Sequence, residues 1–352
     1  MNSVDQSSPR HDRPQASQPK PPRFIRLKRM MLWLVLGILG LTVLGTLFQI
    51  VGTALDRRAY SPPGQMIDVG GYRMHLYCTG VNQDGSSTVI LETGLGSTSS
   101  TWARVQPEVA KATRVCSYDR AGMGWSDPGL PPRDAKHIAR ELQTLLENAD
   151  IAGPYVLVGW SYGGLYVQEF AGQYGDEVAG LVLLDSSSPD QWTSTPEGQA
   201  QFESNATIYR MAPTLVRLGV MRVMALLQPD SGLPSPFNEE LKASFAATKD
   251  WDAQSAEFLA SLTSAAQVKE ARFRDSILLV VLTATQHGTP AAQEQVWQGW
   301  QMQLLSLSTN SIQHIVDGAD HASFWRDPET AKVSIAAILN VVDVAQNSGA
   351  LK

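Results

Sequence analysis

The run Val156-Leu157-Val158-Gly159-Trp160-Ser161-Tyr162-Gly163-Gly164-Leu165 constrains this chain more than any other stretch. An apolar β-type segment ends at Gly159, and a helical pattern follows through Tyr166, Phe170 and Ala171. A serine between two glycines, at a strand-to-helix junction, reads as a nucleophile elbow. The serine must sit on a tight turn with its hydroxyl clear of the sheet edge. Such a turn uses sparsely allowed backbone space. Neighbouring chains then leave no room for a Cβ at 159 or 163, which glycine relieves. The competing reading is a Gly-rich turn with an idle serine.

The amino terminus is organised differently. Residues 1–22 are rich in Ser, Pro, Gln and charge, too polar to order by burial. From Met30 to Leu55 no charge interrupts an apolar run. About 20 such residues cross a bilayer as a helix. A secretory signal has a shorter apolar core, roughly 7–15 residues, so an uncleaved anchor is expected. Gly52-Thr53-Ala54 leaves a cleaved signal as the alternative. Lys20, Arg23, Arg26, Lys28 and Arg29 precede the run, and only Arg57 and Arg58 follow it closely. This asymmetry places the tail in the cytoplasm and the remainder outside. The expected divisions are a basic disordered tail at 1–29, a transmembrane anchor at 30–55, a core at 60–185, a helical lid at 186–274 and the rest of the core at 275–346.

Charge excludes one class of partner. Residues 1–29 carry seven Lys/Arg against two Asp, so the rest of a chain of net charge −6 stands at about −11. Such an acidic body does not suit nucleic acid. Two cysteines, Cys78 and Cys116, make neither a disulfide framework nor a metal site. Both lie in strand-like runs, as buried thiols or, outside the cytoplasm, as one cross-strand disulfide.

The remaining pattern alternates strands with amphipathic helices. Residues 65–77 read as a hairpin around Gly70-Gly71. Strands are expected at 87–92, 113–118, 178–185, 276–283 and 311–316, with helices at 100–112, 134–148, 291–306 and 328–345. Continuous apolar strands between helices argue for a mostly parallel sheet covered on both faces. Ligands of such sheets bind beyond the carboxyl ends of the strands, where Ser161, Leu95 and Asp185 fall. Between 186 and 274 the strand pattern stops. Trp192, Phe202, Tyr209, Met221, Trp251 and Phe258 there suit helices walling an apolar cleft.

The elbow, the segment Asp119-Arg120-Ala121-Gly122-Met123-Gly124-Trp125-Ser126 and the late Gly318-Ala319-Asp320-His321 stand in one order. In that order the chain from about 60 to 345 resembles the α/β-hydrolase superfamily. The resemblance implies an eight-stranded, mostly parallel sheet, a lid between strands six and seven, and a triad ordered nucleophile, acid, histidine. Ser161 is then the nucleophile and His321 its base. His287, in a loop that also ends a strand, is the rival histidine. Many relatives carry an acid in the loop at 284–290, which here has none. Asp185, ending strand six, is the expected acid, with Asp190 and Glu294 behind it; otherwise Asp185 caps the next helix. Leu95 and Tyr162 are the expected oxyanion-hole amides. Thr93 and Trp160 stand where the family often has histidines. Trp160, Gly94 and Gly96 are the expected substrate-pocket residues, and Asp119 and Arg120 pin loops.

Taken with the anchor read from the apolar run, the resemblance implies a serine hydrolase acting on an ester with apolar groups or a lipid-like molecule, with neither cofactor nor metal expected. Serine at 161 disfavours relatives that attack with a carboxylate, such as dehalogenases and epoxide hydrolases. Carbon–carbon hydrolase, acyltransferase, haloperoxidase and aminopeptidase chemistry stay open, as does a non-catalytic binding protein on the same fold. The topology has a direct test. A reporter fused after Lys352 that works only in oxidising space should be active. Activity from a cytoplasm-only reporter would reverse the orientation.

Overall fold

The computed structural model describes residues 23–81, 86–347 and 349–352. The disordered stretch expected at 1–22 lies outside them. The chain divides after Leu44 into two compact units. Helix α1 (Arg23–Ala59) begins in the first and ends in the second. It is long and apolar enough to cross a membrane. It starts earlier than the apolar run because Arg26, Lys28 and Arg29 are good helix formers that extend the helix at little cost. Lys28 Nζ lies 4.4 Å over the Phe24 ring.

The second unit is built on one eight-stranded sheet ordered β1-β2-β4-β3-β5-β6-β7-β8. Its strands are β1 (Gln65–Asp68), β2 (Arg73–Thr79), β3 (Thr88–Glu92), β4 (Val115–Tyr118), β5 (Tyr155–Trp160), β6 (Val178–Leu184), β7 (Leu278–Ala284) and β8 (Ser311–Val316). The two pairings made by β2 are antiparallel and the other five are parallel. The hairpin forms where expected, with the Asp68 carboxylate accepting from the amides of Gly70 and Gly71. Cys78 faces Cys116 across β2 and β4, and the two are joined by a disulfide.

Strand β5 holds the centre. Val156, Leu157 and Val158 are fully buried, each worth about 1.5–3 kcal/mol over an exposed side chain. One face is covered by α2 (Gln106–Val109) and α12 (Pro328–Asn347), the other by α3 (Ala135–Asn148) and α4 (Gly163–Gln173). Helix α3 is capped by Asp134, which accepts from the His137 amide, and buries Ile138, Leu142, Leu145 and Leu146. The helix expected at 100–112 is instead a 3-10 turn (Ser99–Ala103) followed by the short α2. Pro107 lacks the amide needed to continue a helix from Ala103, yet suits the first turn of a new one.

Between β6 and β7 five helices are inserted: α5 (Pro196–Arg217), α6 (Val220–Leu227), α7 (Phe237–Phe245), α8 (Thr248–Leu259) and α9 (Ser261–Glu270). After β7 come α10 (Ala291–Leu304), β8 and α11 (Ser323–Arg326). Most insertion aromatics pack inward. Phe258 stacks on Phe202 and Tyr209, and this group sits on Tyr162, Leu165 and Tyr166 around the start of α4. Trp192 and Tyr162 of this cluster also line the cavity described below.

Beneath that contact lies Arg120, 1% exposed. Its guanidinium donates to Glu92 at the end of β3 at 2.6 Å and to both oxygens of Glu257 on α8 at 3.0 and 2.9 Å. It also donates to the carbonyls of Thr93 and Gly94 at 2.8 and 2.9 Å. Burial pushes the Glu92 carboxyl up, and Arg120 opposes it. Replacing Arg120 by Leu would strand two buried carboxylates. Urea unfolding of Arg120→Leu should therefore show a loss of about 3–5 kcal/mol, and a change under about 1 kcal/mol would contradict this role.

Candidate active site

The chain turns sharply after Trp160. Ser161 has φ 56° and Asp185, ending the neighbouring strand, has φ 42°. Backbone of this kind in a residue with a Cβ costs about 1–3 kcal/mol and persists only where surroundings enforce it. Here the Ser161 amide donates to the Leu184 carbonyl and the Ser161 carbonyl accepts from Ser187. The flanking glycines behave as the motif requires. A Cβ on Gly159 would lie 2.7 Å from Gly164, and one on Gly163 would lie 2.7 Å from the Glu92 and Thr93 carbonyls.

His321 closes over the elbow from the loop after β8. Its Nε2 is 2.9 Å from Ser161 Oγ, and its Nδ1 is 2.6 Å from Asp185 Oδ2. A carboxylate only accepts, so Nδ1 carries the proton and Nε2 presents a lone pair to the serine hydroxyl. The Asp185 side chain is wholly buried and takes two more donors on Oδ1, the Ala284 amide at 3.1 Å and Trp297 Nε1 at 2.9 Å. Burial alone would raise this carboxyl; hydrogen bonds and charge from His287 and His321 hold it well below the usual carboxylate range.

His287 is the residue whose place the sequence left open. Its ring bonds two carboxylates and not the serine hydroxyl. Its Nε2 donates to Asp185 Oδ2 at 2.8 Å, and its Nδ1 donates to Glu294 at 2.9 Å. Both partners are acceptors, so both ring nitrogens hold protons and the ring is cationic. Burial lowers its pKa, but Asp185 first and Glu294 second raise it to about 9. The β7 and β8 loops are stitched together by the Thr285 and Gln286 amides, which donate to the Ala319 carbonyl. This brings the two imidazoles within 6.2 Å. Their nitrogens and an Asp185 oxygen lie within 4.8 Å of one another, close enough to be weighed as a metal site. The two contacts on Oδ2 have the lengths of proton-filled hydrogen bonds, so the donor set fits protons better than a cation.

The other expected positions fall as follows. Glu294 serves His287 rather than His321. Asp190 is drawn away by Lys269 Nζ at 2.6 Å. The amides of Leu95 and Tyr162 donate to no protein acceptor among the described residues, which leaves both free for a ligand oxygen. Gly94 packs tightly under the elbow, where a Cβ would lie 3.1 Å from Ser161 Cβ. Trp160 supports the loop of His321: its Nε1 donates to the His321 carbonyl at 2.7 Å. Gly96 faces Gln254 of the insertion.

A cavity of about 690 Å³ opens on Ser161 and His321, in the range of small-molecule sites. Its apolar wall comes from Trp192, Pro290, Val296, Trp297 and Trp300. Trp160, Gly94 and Gly96 are not among its lining residues. The wall residues after β7 belong to a helix whose sequence gave no period strong enough to mark which face meets a ligand. Asp185, His321 and Ser161 together can deliver a nucleophilic oxygen, remove its proton and stabilise the resulting imidazolium.

Residues 89–333 match the alpha/beta hydrolase family. An uncharacterized protein of Schizosaccharomyces pombe is 32% identical over 192 residues, which cover 47% of this chain and 35% of that protein. The chain spans less than half the length of the curated relatives it first matches. Among solved structures, Cfl2 of Burkholderia cenocepacia superposes with a TM-score of 0.63 at 20% identity, over 77% of this chain and 94% of that one. A thermophilic esterase of Thermogutta terrifontis gives 0.56 at 20% identity, over 79% and 97%. At such identity these likenesses speak for the fold. With the family match running from β3 into α12 and the eight-stranded order observed, the chain belongs to the alpha/beta hydrolase family.

Proposed function

We propose that this protein is a serine hydrolase that cleaves carboxylic esters bearing apolar groups through an acyl-enzyme at Ser161. The carrying observation is the pair of contacts on His321, 2.9 Å to the serine hydroxyl and 2.6 Å to Asp185. In this reading His321 Nε2 takes the hydroxyl proton as Oγ attacks the ester carbonyl carbon. The carbonyl electrons move onto oxygen, which the Leu95 and Tyr162 amides receive. Collapse reforms the carbonyl and expels the alcohol, which leaves with the proton from His321. Water then repeats the cycle on the acyl-enzyme and frees the acid. The tryptophan-lined cavity supports apolar substituents on the ester.

The protein works tethered to a membrane by α1, with its amino terminus in the cytoplasm and its catalytic body outside. The uncharged run from Met30 to Leu55 and the basic residues ahead of it support this. The Cys78–Cys116 bridge supports an oxidising surround.

His287 acts in this scheme as a positioning residue. It donates to Oδ2 of Asp185, the same oxygen that His321 bonds, and stays charged while its folded pKa lies near 9.

Two outcomes follow for measurement. Ser161→Ala should lose p-nitrophenyl ester hydrolysis by several orders of magnitude, and fluorophosphonate should label only the unaltered protein; equal labelling of both would end the reading. The His287 pKa rises on folding from 6.5 to about 9. Its contribution to stability is therefore complete below pH 6.5 and is lost as pH climbs through about 9. His287→Gln should flatten the fall in urea midpoint across that window, and an unchanged slope would count against the cationic assignment.

A further inference from the structure

Helix α6 is unlike the rest of the insertion. Its sequence, Val-Met-Arg-Val-Met-Ala-Leu-Leu, contains one polar residue, Arg222. Met221, Arg222 and Ala225 are buried. The other face leaves Val223 50%, Met224 47%, Leu226 75% and Leu227 79% exposed. Val220 and, on the preceding helix, Met211 and Ile208 are exposed as well. Water-facing surfaces rarely carry a contiguous apolar patch of this kind without a partner.

The buried face of α6 shows what that partner is. Leu218 and Gly219, at its start, touch α1 at Gly45 and Phe48. A Cβ on Gly45 would lie 2.3 Å from the Leu218 carbonyl oxygen, and one on Gly219 would lie 2.8 Å from the Gly45 carbonyl oxygen and 3.2 Å from Phe48. Arg222 then reaches along α1. Its guanidinium bonds Asp56 at 2.8 Å, Thr53 at 3.2 Å and Gln49 at 3.4 Å. Gln49 itself is 3% exposed and donates to the Ala246 carbonyl at 2.7 Å. Gln49, Thr53 and Asp56 share one stripe of α1, spaced as residues on one helix face are. This contact is therefore specified by polar pairing and close backbone approach.

Depth follows from counting. A hydrocarbon core of about 30 Å takes about 20 helical residues. Measured from Met30, which follows the last basic residue of the amino side, it ends near Gln49. Gly45 lies four residues inside that limit, about 6 Å at 1.5 Å per residue. The start of α6 is held at that level. Helices that lie in a membrane interface sink by about 5–10 Å. The one charge on α6 points along α1 toward Asp56, the way a long basic side chain leaves an apolar phase.

We propose that α6 is a second membrane contact: it lies in the outer leaflet beside α1, and its Val223-Met224-Leu226-Leu227 face is covered by lipid acyl chains. This rests on the reading of α1 as a span, and gives the insertion a fixed seat on the bilayer. The occupant is lipid because α6 meets α1 at Gly45, inside the depth counted for the span, and this face carries no charge of its own.

The test uses the full chain in phosphatidylcholine/phosphatidylglycerol nanodiscs. The described chain has no free cysteine, so single cysteines at Leu227 and Val223 can carry a nitroxide. Leu39 on α1 serves as the lipid standard and exposed Leu130 as the water standard. Collision with oxygen, relative to collision with a nickel chelate, should be several-fold higher at 227 and 223 than at 130, and of the same sense as at 39. A water-like ratio at 227 and 223, with a lipid-like ratio at 39, overturns the proposal and spares the anchor. Protection from both reagents at 227 would mean a second protein, another copy of this chain included, and would also overturn it. A water-like ratio at 39 removes the anchor and the proposal together.

Discussion

The structure depends on how one buried guanidinium is satisfied. Arg120 sits where β3, β4, the nucleophile turn and the inserted helices converge, and it has five donor hydrogens to place away from water. Glu92, Glu257 and the carbonyls of Thr93 and Gly94 take them. Arg133, 3.8 Å from Glu257, brings a second positive charge to the cluster. Removing any member leaves a desolvated charge, so the parts hold one another in place. The carbonyls of Thr93 and Gly94 point at Arg120, which fixes the orientation of the peptide that presents the Leu95 amide. The same residue fastens α8 to the sheet. Loop geometry at the candidate site and attachment of the insertion are thus one problem with one solution.

The insertion is fastened at several places by different forces. Aromatic stacking seats Phe202, Tyr209 and Phe258 on the start of α4. Polar pairing joins α6 to the Gln49-Thr53-Asp56 stripe. The final turns of α1 therefore belong to the body that carries the sheet.

Much of this was legible in the chain itself. The elbow and the strand alternation follow from local patterns, because steric demands at a sharp turn and period-two burial act on neighbours in sequence; the order Ser161, Asp185, His321 came from the family resemblance. Asp119 and Arg120 could be read as loop pins for the same reason. What stayed hidden was set by long-range pairing. No local pattern tells that His287 would share Asp185 with His321, since the three meet only after the β6, β7 and β8 loops are brought side by side. The role of Trp160 was misread toward the pocket because its size was visible and its direction was not. Gly96 was placed there for its neighbourhood in sequence, while the fold turns it toward Gln254. The helix at 100–112 broke because Pro107 overrides the apolar spacing on either side of it.

The arrangement around Asp185 also changes a count of charge. Two carboxylates, Asp185 and Glu294, share one imidazolium, His287, so the cluster carries a single net negative charge at rest. In the proposed reaction a second imidazolium forms at His321 as the serine gives up its proton. These four side chains then sum to zero, while the negative charge given up by the serine has passed to the substrate oxyanion. Without the His287 charge the same side chains would still sum to one negative charge beside that oxyanion. In the proposed scheme a histidine that bonds none of the reacting atoms thereby takes one negative charge away from the neighbourhood of another.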